Sequence, residues 1–190
     1  MIVAYDPRWP ETFAAQAEVL RAAIKDAVSD VHHVGSTAVP GLSARPVIDI
    51  FLMLKRPLED DEIAKLVALG FEHRGDAGIA GGYYFVRDDV TIYAFVAVHP
   101  AGHAMRHFRD HLIARPDQRD EFDAAKRALE AQHAGDPAAY ERARDLLLLE
   151  YDKRAAMWAA QEERKRHEAN LHRHFQDDDD DEEEGEGLTP

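Results

Sequence analysis

Residues 31–54 read VHHVGSTAVPGLSARPVIDIFLML, and the order of turn residues and apolar residues in this stretch decides the fold. A short β-prone segment, Val31–Val34, ends at a Gly35-Ser36 turn. Pro40-Gly41 marks a second turn. The run from Pro46 to Leu54 is too apolar for a sheet with one wet face, so it reads as a central strand. One carboxylate, Asp49, stands inside that run. Burying it is costly unless something cationic or wet meets it. The candidates are a metal ion, an arginine, or solvent at a cleft. On an extended chain Arg45, Val47, Asp49 and Phe51 share one face. An Arg45–Asp49 ion pair and a ligand- or metal-holding role for Asp49 are therefore both open. The two can coexist, with Arg45 on a phosphate and Asp49 orienting it.

Outward from this stretch the periodicities are clear. Trp9, Phe13, Ala17, Leu20 and Ile24 recur at helical spacing and predict an amphipathic helix over 8–27. Ile63, Leu66 and Val67 define a second helix closed by Gly70. Residues 71–74, 83–87 and 91–98 read as strands, with Asp88-Asp89 as a hairpin turn and a four-glycine loop, expected to be mobile, over 75–82. Helices follow over 101–114, 117–133 and 137–168, the last two opened by Pro116 and Pro137. This order predicts an α+β fold: a mixed β-sheet with helices packed on one side, followed by a C-terminal helical segment. Residues 1–170 are expected to form one domain and 171–190 a disordered acidic tail.

Composition narrows the function classes. The chain has 190 residues and no cysteine, which removes disulfides, thiol nucleophiles and cysteine-ligated zinc. No apolar run approaches the ~20 residues of a membrane span, and the N-terminus lacks the pattern of a signal peptide, so a cytoplasmic protein is expected. Net charge is −14, and nine of the 37 acidic residues lie between Asp177 and Glu186. The body is only mildly acidic, which argues against nucleic acid as a partner.

The segment HVGSTAVPGLSARPVIDI, residues 33–50, strongly resembles the signature of the GrpB family. VAYDPRWPETFAAQAEVL, ALGFEHRGDAGIAGGYYF, FRDHLIARPDQRDEF and AYERARDLLL resemble that family's opening, middle and closing segments. The likeness covers residues 2 to about 155. It implies a fold similar to the nucleotidyltransferases of the DNA polymerase β type, and a pocket for a nucleotide or another phosphate-bearing small molecule. In that pattern Gly35, Ser36 and Thr37 would hold phosphate, with Arg45 and Arg109 as further phosphate ligands. Asp49 would hold Mg²⁺ as the catalytic carboxylate of a nucleotidyl transfer. Two departures bear on activity. Val47 stands where the polymerase-type motif has its first aspartate. Ile92, Tyr93 and Phe95 stand where the family often carries histidines. A catalytically degenerate scaffold or chaperone-like domain that binds a protein partner is therefore the alternative.

Further groups read both ways. His32 and His33 point to opposite faces of their strand. His103, His107 and His111 recur every four residues and form either a metal-binding pair or a packed, solvated helix face. Arg87 and Arg106 add to the phosphate candidates. Leu146–Leu149 is either a helix buried on two sides or an interface for a protein partner or homodimer through the C-terminal helices.

Overall fold

The computed structural model describes residues 1–180. Five strands, β1 (Val28–Val34), β2 (Ile48–Leu54), β3 (Glu72–His73), β4 (Tyr83–Arg87) and β5 (Val90–Val96), form one sheet in the order β1-β2-β5-β4-β3. β2 and β5 pair in parallel and the other neighbours are antiparallel. The sheet is mixed, as expected, and β2 sits inside it. A parallel pair needs a long crossover; here the chain between β2 and β5 supplies it, including helix α2 (Asp60–Ala68) and the β3–β4 pair. The β4–β5 hairpin turns at Asp88-Asp89, with Asp88 at φ 45°.

The other helices are α1 (Trp9–Ala23), α3 (Pro100–Ala114), α4 (Pro116–Gln132) and α5 (Pro137–Asp180). α1 stops before the expected residue 27, because Ala27 and Val28 are drawn into the core at the start of β1. β1 accordingly begins three residues earlier than its apolar signal. Ser29 and Asp30 look like turn residues but lie on the exposed side of an edge strand. α5 continues past the expected end near 168, so its backbone spans about 66 Å at 1.5 Å per residue. No break separates a tail at residue 171: the helix carries on through Asp180. The rest of the expected tail, residues 181–190, lies outside the described residues.

Alternation along β2 divides the core between two faces of the sheet. Ile48, Ile50, Leu52 and Leu54 pack with α1 residues Ala17 and Leu20, with Ile24 just past the end of that helix, and with α2 residue Leu66. Phe51 and Phe95 face the other way, toward Ala101 and Met105 of α3. Helices are thus not confined to one side. The α+β class holds, but α3 covers part of the second face because Phe51 and Phe95 need an apolar cover there. α3, α4 and α5 then form a bundle with its own core, in which Phe122 packs on Phe108 at 5.4 Å and on Tyr151 at 4.7 Å between ring centroids. Among the described residues no helix is long and apolar enough to cross a membrane.

α3 lies close to β2 because residue 102 has no side chain. A Cβ on Gly102 would meet the Phe51 ring at 2.3 Å, and that ring is 1% exposed. Gly102→Ala should therefore destabilise the fold by roughly 1–3 kcal/mol despite alanine's better helix propensity, because overpacking outweighs it. Urea unfolding checks the sign; a stabilised variant would show that the contact relaxes freely.

Candidate functional site

β1 ends at Val34, opposite Asp49 in the antiparallel register. The chain then reverses at Gly35, whose φ of 71° suits glycine, and enters a 3₁₀ turn over Ser36–Ala38. The reversal lays Gly35 directly over Asp49. A Cβ at residue 35 would stand 2.4 Å from Asp49 Oδ2. The carboxylate is half-buried and none of the described donors hydrogen-bonds it. Burial pushes it up to about 7, and the guanidiniums of Arg45 and Arg144 oppose the rise without cancelling it.

Across from this carboxylate, Lys126 of α4 reaches in. The residue is 5% exposed, and its ammonium donates to Ser36 Oγ at 3.2 Å and to the Ser43 carbonyl and lies 5.0 Å from the centre of the Phe122 ring. Burial pulls Lys126 down to about 8; Asp123 resists the shift, while Arg127, Arg144 and Arg45 add to it. Asp123, on the same helix, accepts from both the backbone N–H and the hydroxyl of Ser43. Arg144 of α5 holds Glu141 at 2.6 Å and Asp145 at 3.0 Å, yet its Nε is buried with no partner.

These groups line one cleft of about 610 Å³. Its polar wall carries Ser36, Arg45, Lys126 and Arg144, together with Asp49, Asp88 and Asp152. Its other wall is aromatic and apolar, with Tyr84 and Tyr93 at 5.2 Å between ring centroids and Ile79 and Met105 beside them. Burial, with Asp49 and Tyr84 adding to it, pushes the Tyr93 hydroxyl well above its ordinary range.

Gly35, Ser36, Arg45 and Asp49 are therefore brought together as the sequence implies. Three expectations need correction. Arg45 does not pair with Asp49: it precedes the strand, which starts at Ile48, and its Nη1 holds Glu141 Oε1 at 3.2 Å. Thr37 borders the cleft, but its hydroxyl is committed elsewhere. It donates to the Val47 carbonyl at 3.0 Å and lies 3.0 Å from His33 Nε2, which ties the β1–β2 connection together. Arg109 lies outside the cleft lining; it donates to the His33 carbonyl at 2.9 Å and to Asp110 at 2.7 Å, pinning α3 to β1. Arg87 is likewise structural, donating to the Leu69 carbonyl and Gln16 while stacking over Phe71 at 4.2 Å.

Lys126 and Arg144 are the residues that sequence reading missed. Each sits among other charges on a helix that looks solvated. The one available signal was the Phe122–Lys126 spacing, which puts a lysine on the same face as a core aromatic.

The histidines do not build a site. His33 stacks on Phe13 at 4.8 Å and His32 on Phe51 at 5.6 Å. His111 is buried against Trp158, and His103 and His107 lie 6.3 Å apart on the helix face. Among the described residues no group of three or more histidines and carboxylates is placed to hold a metal ion.

Comparison with known proteins places the chain. The sequence model of a family described as "GrpB protein" matches residues 1–154. The UPF0157 protein PA4798 of Pseudomonas aeruginosa is 37% identical over 148 residues, which are 74% of this chain and 61% of that protein. The UPF0157 protein SCO7215 of Streptomyces coelicolor is 36% identical over 158 residues, covering 80% of this chain and 81% of that one. The chain thus spans less than two thirds of the Pseudomonas relative. The crystal structure of the conserved protein GrpB from Enterococcus faecalis has the same fold, with a TM-score of 0.76 at 24% identity, over 82% of this chain and 96% of that one.

The buried carboxylate and His33 act on stability with opposite signs. Asp49 rises from its ordinary 3.8 to about 7 in the fold, so the stability it lends is complete below about pH 4 and is lost as pH climbs through 7. His33 falls from 6.5 to about 4 through burial, helped by Arg109, so its contribution grows between those two values. Asp49→Asn should leave the histidine slope alone, making stability rise more steeply between pH 4 and 7. At pH 8 the variant should exceed the parent by roughly 1–3 kcal/mol in urea titrations. Equal stability at pH 8 would contradict a carboxylate strained by burial.

Proposed function

The chain belongs to the GrpB family, and from that premise we propose that its cleft binds the phosphate end of a small molecule, with a nucleotide as the best-fitting class. The observation that carries this reading is the Lys126 ammonium seated on Ser36 Oγ, with the guanidiniums of Arg45 and Arg144 lining the same wall. A Gly-Ser turn faced by three cations suits a phosphate, and charge-assisted hydrogen bonds in a half-enclosed site are the strong kind. The Tyr84–Tyr93 wall gives an aromatic ring a surface to stack on. A volume near 610 Å³ falls within the usual range for such ligands.

The residues present do not fit a resident magnesium ion. Among the described residues no three histidines or carboxylates converge as a ligand set, and the cleft's Asp49, Asp88 and Asp152 stand along a wall that also carries Arg45, Lys126 and Arg144. Phosphate binding by Ser36, Arg45, Lys126 and Arg144 needs no such ion.

A second reading, a partner-binding scaffold, has one observation in its favour. Leu147 and Leu148 pack inward on the helical core, but Leu146 is 71% exposed, Leu149 52% and Met157 66%. The helix is thus not buried on two sides. These three residues fall at helical spacing on α5 and suit a protein partner or a second copy. Sedimentation analysis tests the homodimer: a concentration-dependent dimer lost in Leu146→Glu would favour it, and a monomer at all concentrations would count against it.

Calorimetry with ATP and with inorganic triphosphate tests the main reading. Both should bind, and affinity should persist in EDTA. Arg144→Ala should weaken binding about 10–100-fold, the size of a lost charge-assisted hydrogen bond. Arg45→Ala should cost less than about tenfold, because Arg45 is half-exposed and screened. Unchanged affinity in both variants would move the ligand elsewhere.

A further inference from the structure

Lys126 and Ser36 have a geometry that phosphate binding alone does not require. We infer that Ser36 is a nucleophile and Lys126 its general base, a Ser–Lys pair acting on a phosphate ester or anhydride that carries a good leaving group. The choice of a phosphoryl substrate rests on the phosphate reading above; the pair itself stands on its own geometry.

Nζ and Oγ are 3.2 Å apart, a distance over which a proton can pass. The ammonium is almost fully buried, between the Phe122 ring and two neutral oxygens, and no carboxylate touches it. Such surroundings favour the neutral amine, and burial already pulls Lys126 down to about 8. The charges facing it are Asp123 and Arg127 on α4, Arg144 on α5 and Arg45 before β2. The three guanidiniums push it further toward neutrality.

A neutral Lys126 would keep donating to the Ser43 carbonyl and accept the Ser36 hydroxyl proton in turn. Ser43 cannot compete for this role. Its own hydroxyl is held by Asp123, and it is 1% exposed, whereas Ser36 opens into the cleft. A lysine desolvated beside a serine is an established way to activate the hydroxyl.

The step balances as follows. Ser36 Oγ forms a bond to phosphorus as the bond from phosphorus to the leaving group breaks, and the leaving group departs with that electron pair. The hydroxyl proton moves to Lys126 Nζ, which then passes it to the departing oxygen. The product is a phosphoester on Ser36.

Diisopropyl fluorophosphate tests the pair on the full chain, read by intact mass and peptide mapping. One adduct is expected, on Ser36, and none in Ser36→Ala. The labelling rate should rise with pH through about 8 as Lys126 loses its proton. Lys126→Arg keeps the charge but cannot act as a base, so labelling should fall at least about a hundred-fold while near-UV circular dichroism shows the fold retained. Inorganic triphosphate should protect Ser36. No adduct, a rate flat with pH in the parent protein, or undiminished labelling of Lys126→Arg would each overturn the inference. The phosphate reading would then rest on calorimetry alone. An adduct that triphosphate does not suppress would support the nucleophile and remove the phosphate reading.

Discussion

Lys126 places its ammonium between Ser36 Oγ and the Ser43 carbonyl, and at this contact the helical half of the molecule meets the sheet. The segment joining β1 to β2 has little regular structure of its own. It is positioned largely from outside: Lys126 and Asp123 hold its second half, Arg119 donates to the Pro40 carbonyl, and Arg109 donates to the His33 carbonyl at its root. Val39 and Leu42 supply the apolar share by entering the core of α3, α4 and α5. Buried charge is tolerated here because each polar group finds a partner. The same arrangement leaves Ser36 at the edge of the cleft, so the contact that docks the bundle also presents its hydroxyl there.

The opposite wall depends on the absence of a side chain. Gly35 passes so close to Asp49 that a Cβ would overlap its carboxylate. The close approach shields Asp49 from water without supplying a donor. Its proton affinity therefore rises, although two guanidiniums act on it. The cleft thus combines a carboxyl group that titrates near neutrality with an ammonium depressed toward neutrality. Paired groups displaced in opposite directions from their ordinary values are a frequent property of sites that handle protons.

Strand β5 divides its side chains between the two faces of the sheet. Ile92 faces α1 and α2 and is fully buried, so that position belongs to the core of the first face. Tyr93 and Phe95 lie on the second face with Phe51 and Ile79. Aromatic rings there make one wall of the cleft apolar and leave its polar chemistry to the residues around Gly35 and α4.

The sequence by itself determined the element order and the mixed, α+β character of the fold, because these follow from local periodicity and turn chemistry. The resemblance of residues 33–50 to the GrpB signature implied that Gly35, Ser36, Arg45 and Asp49 border one cleft, and the structure brings them together there. Tertiary structure decided the rest. Arg45 and Asp49 look like partners on an ideal strand, but β2 starts only at Ile48 and frees Arg45 for Glu141. Arg109 and Thr37 look like phosphate ligands, but backbone carbonyls claim them. Lys126 and Arg144 look like solvated helix charges. What brings them to the cleft is where the bundle docks, more than 80 residues from the turn they face. A side chain's partner across such a separation is set by the packing of whole elements, which no local pattern encodes.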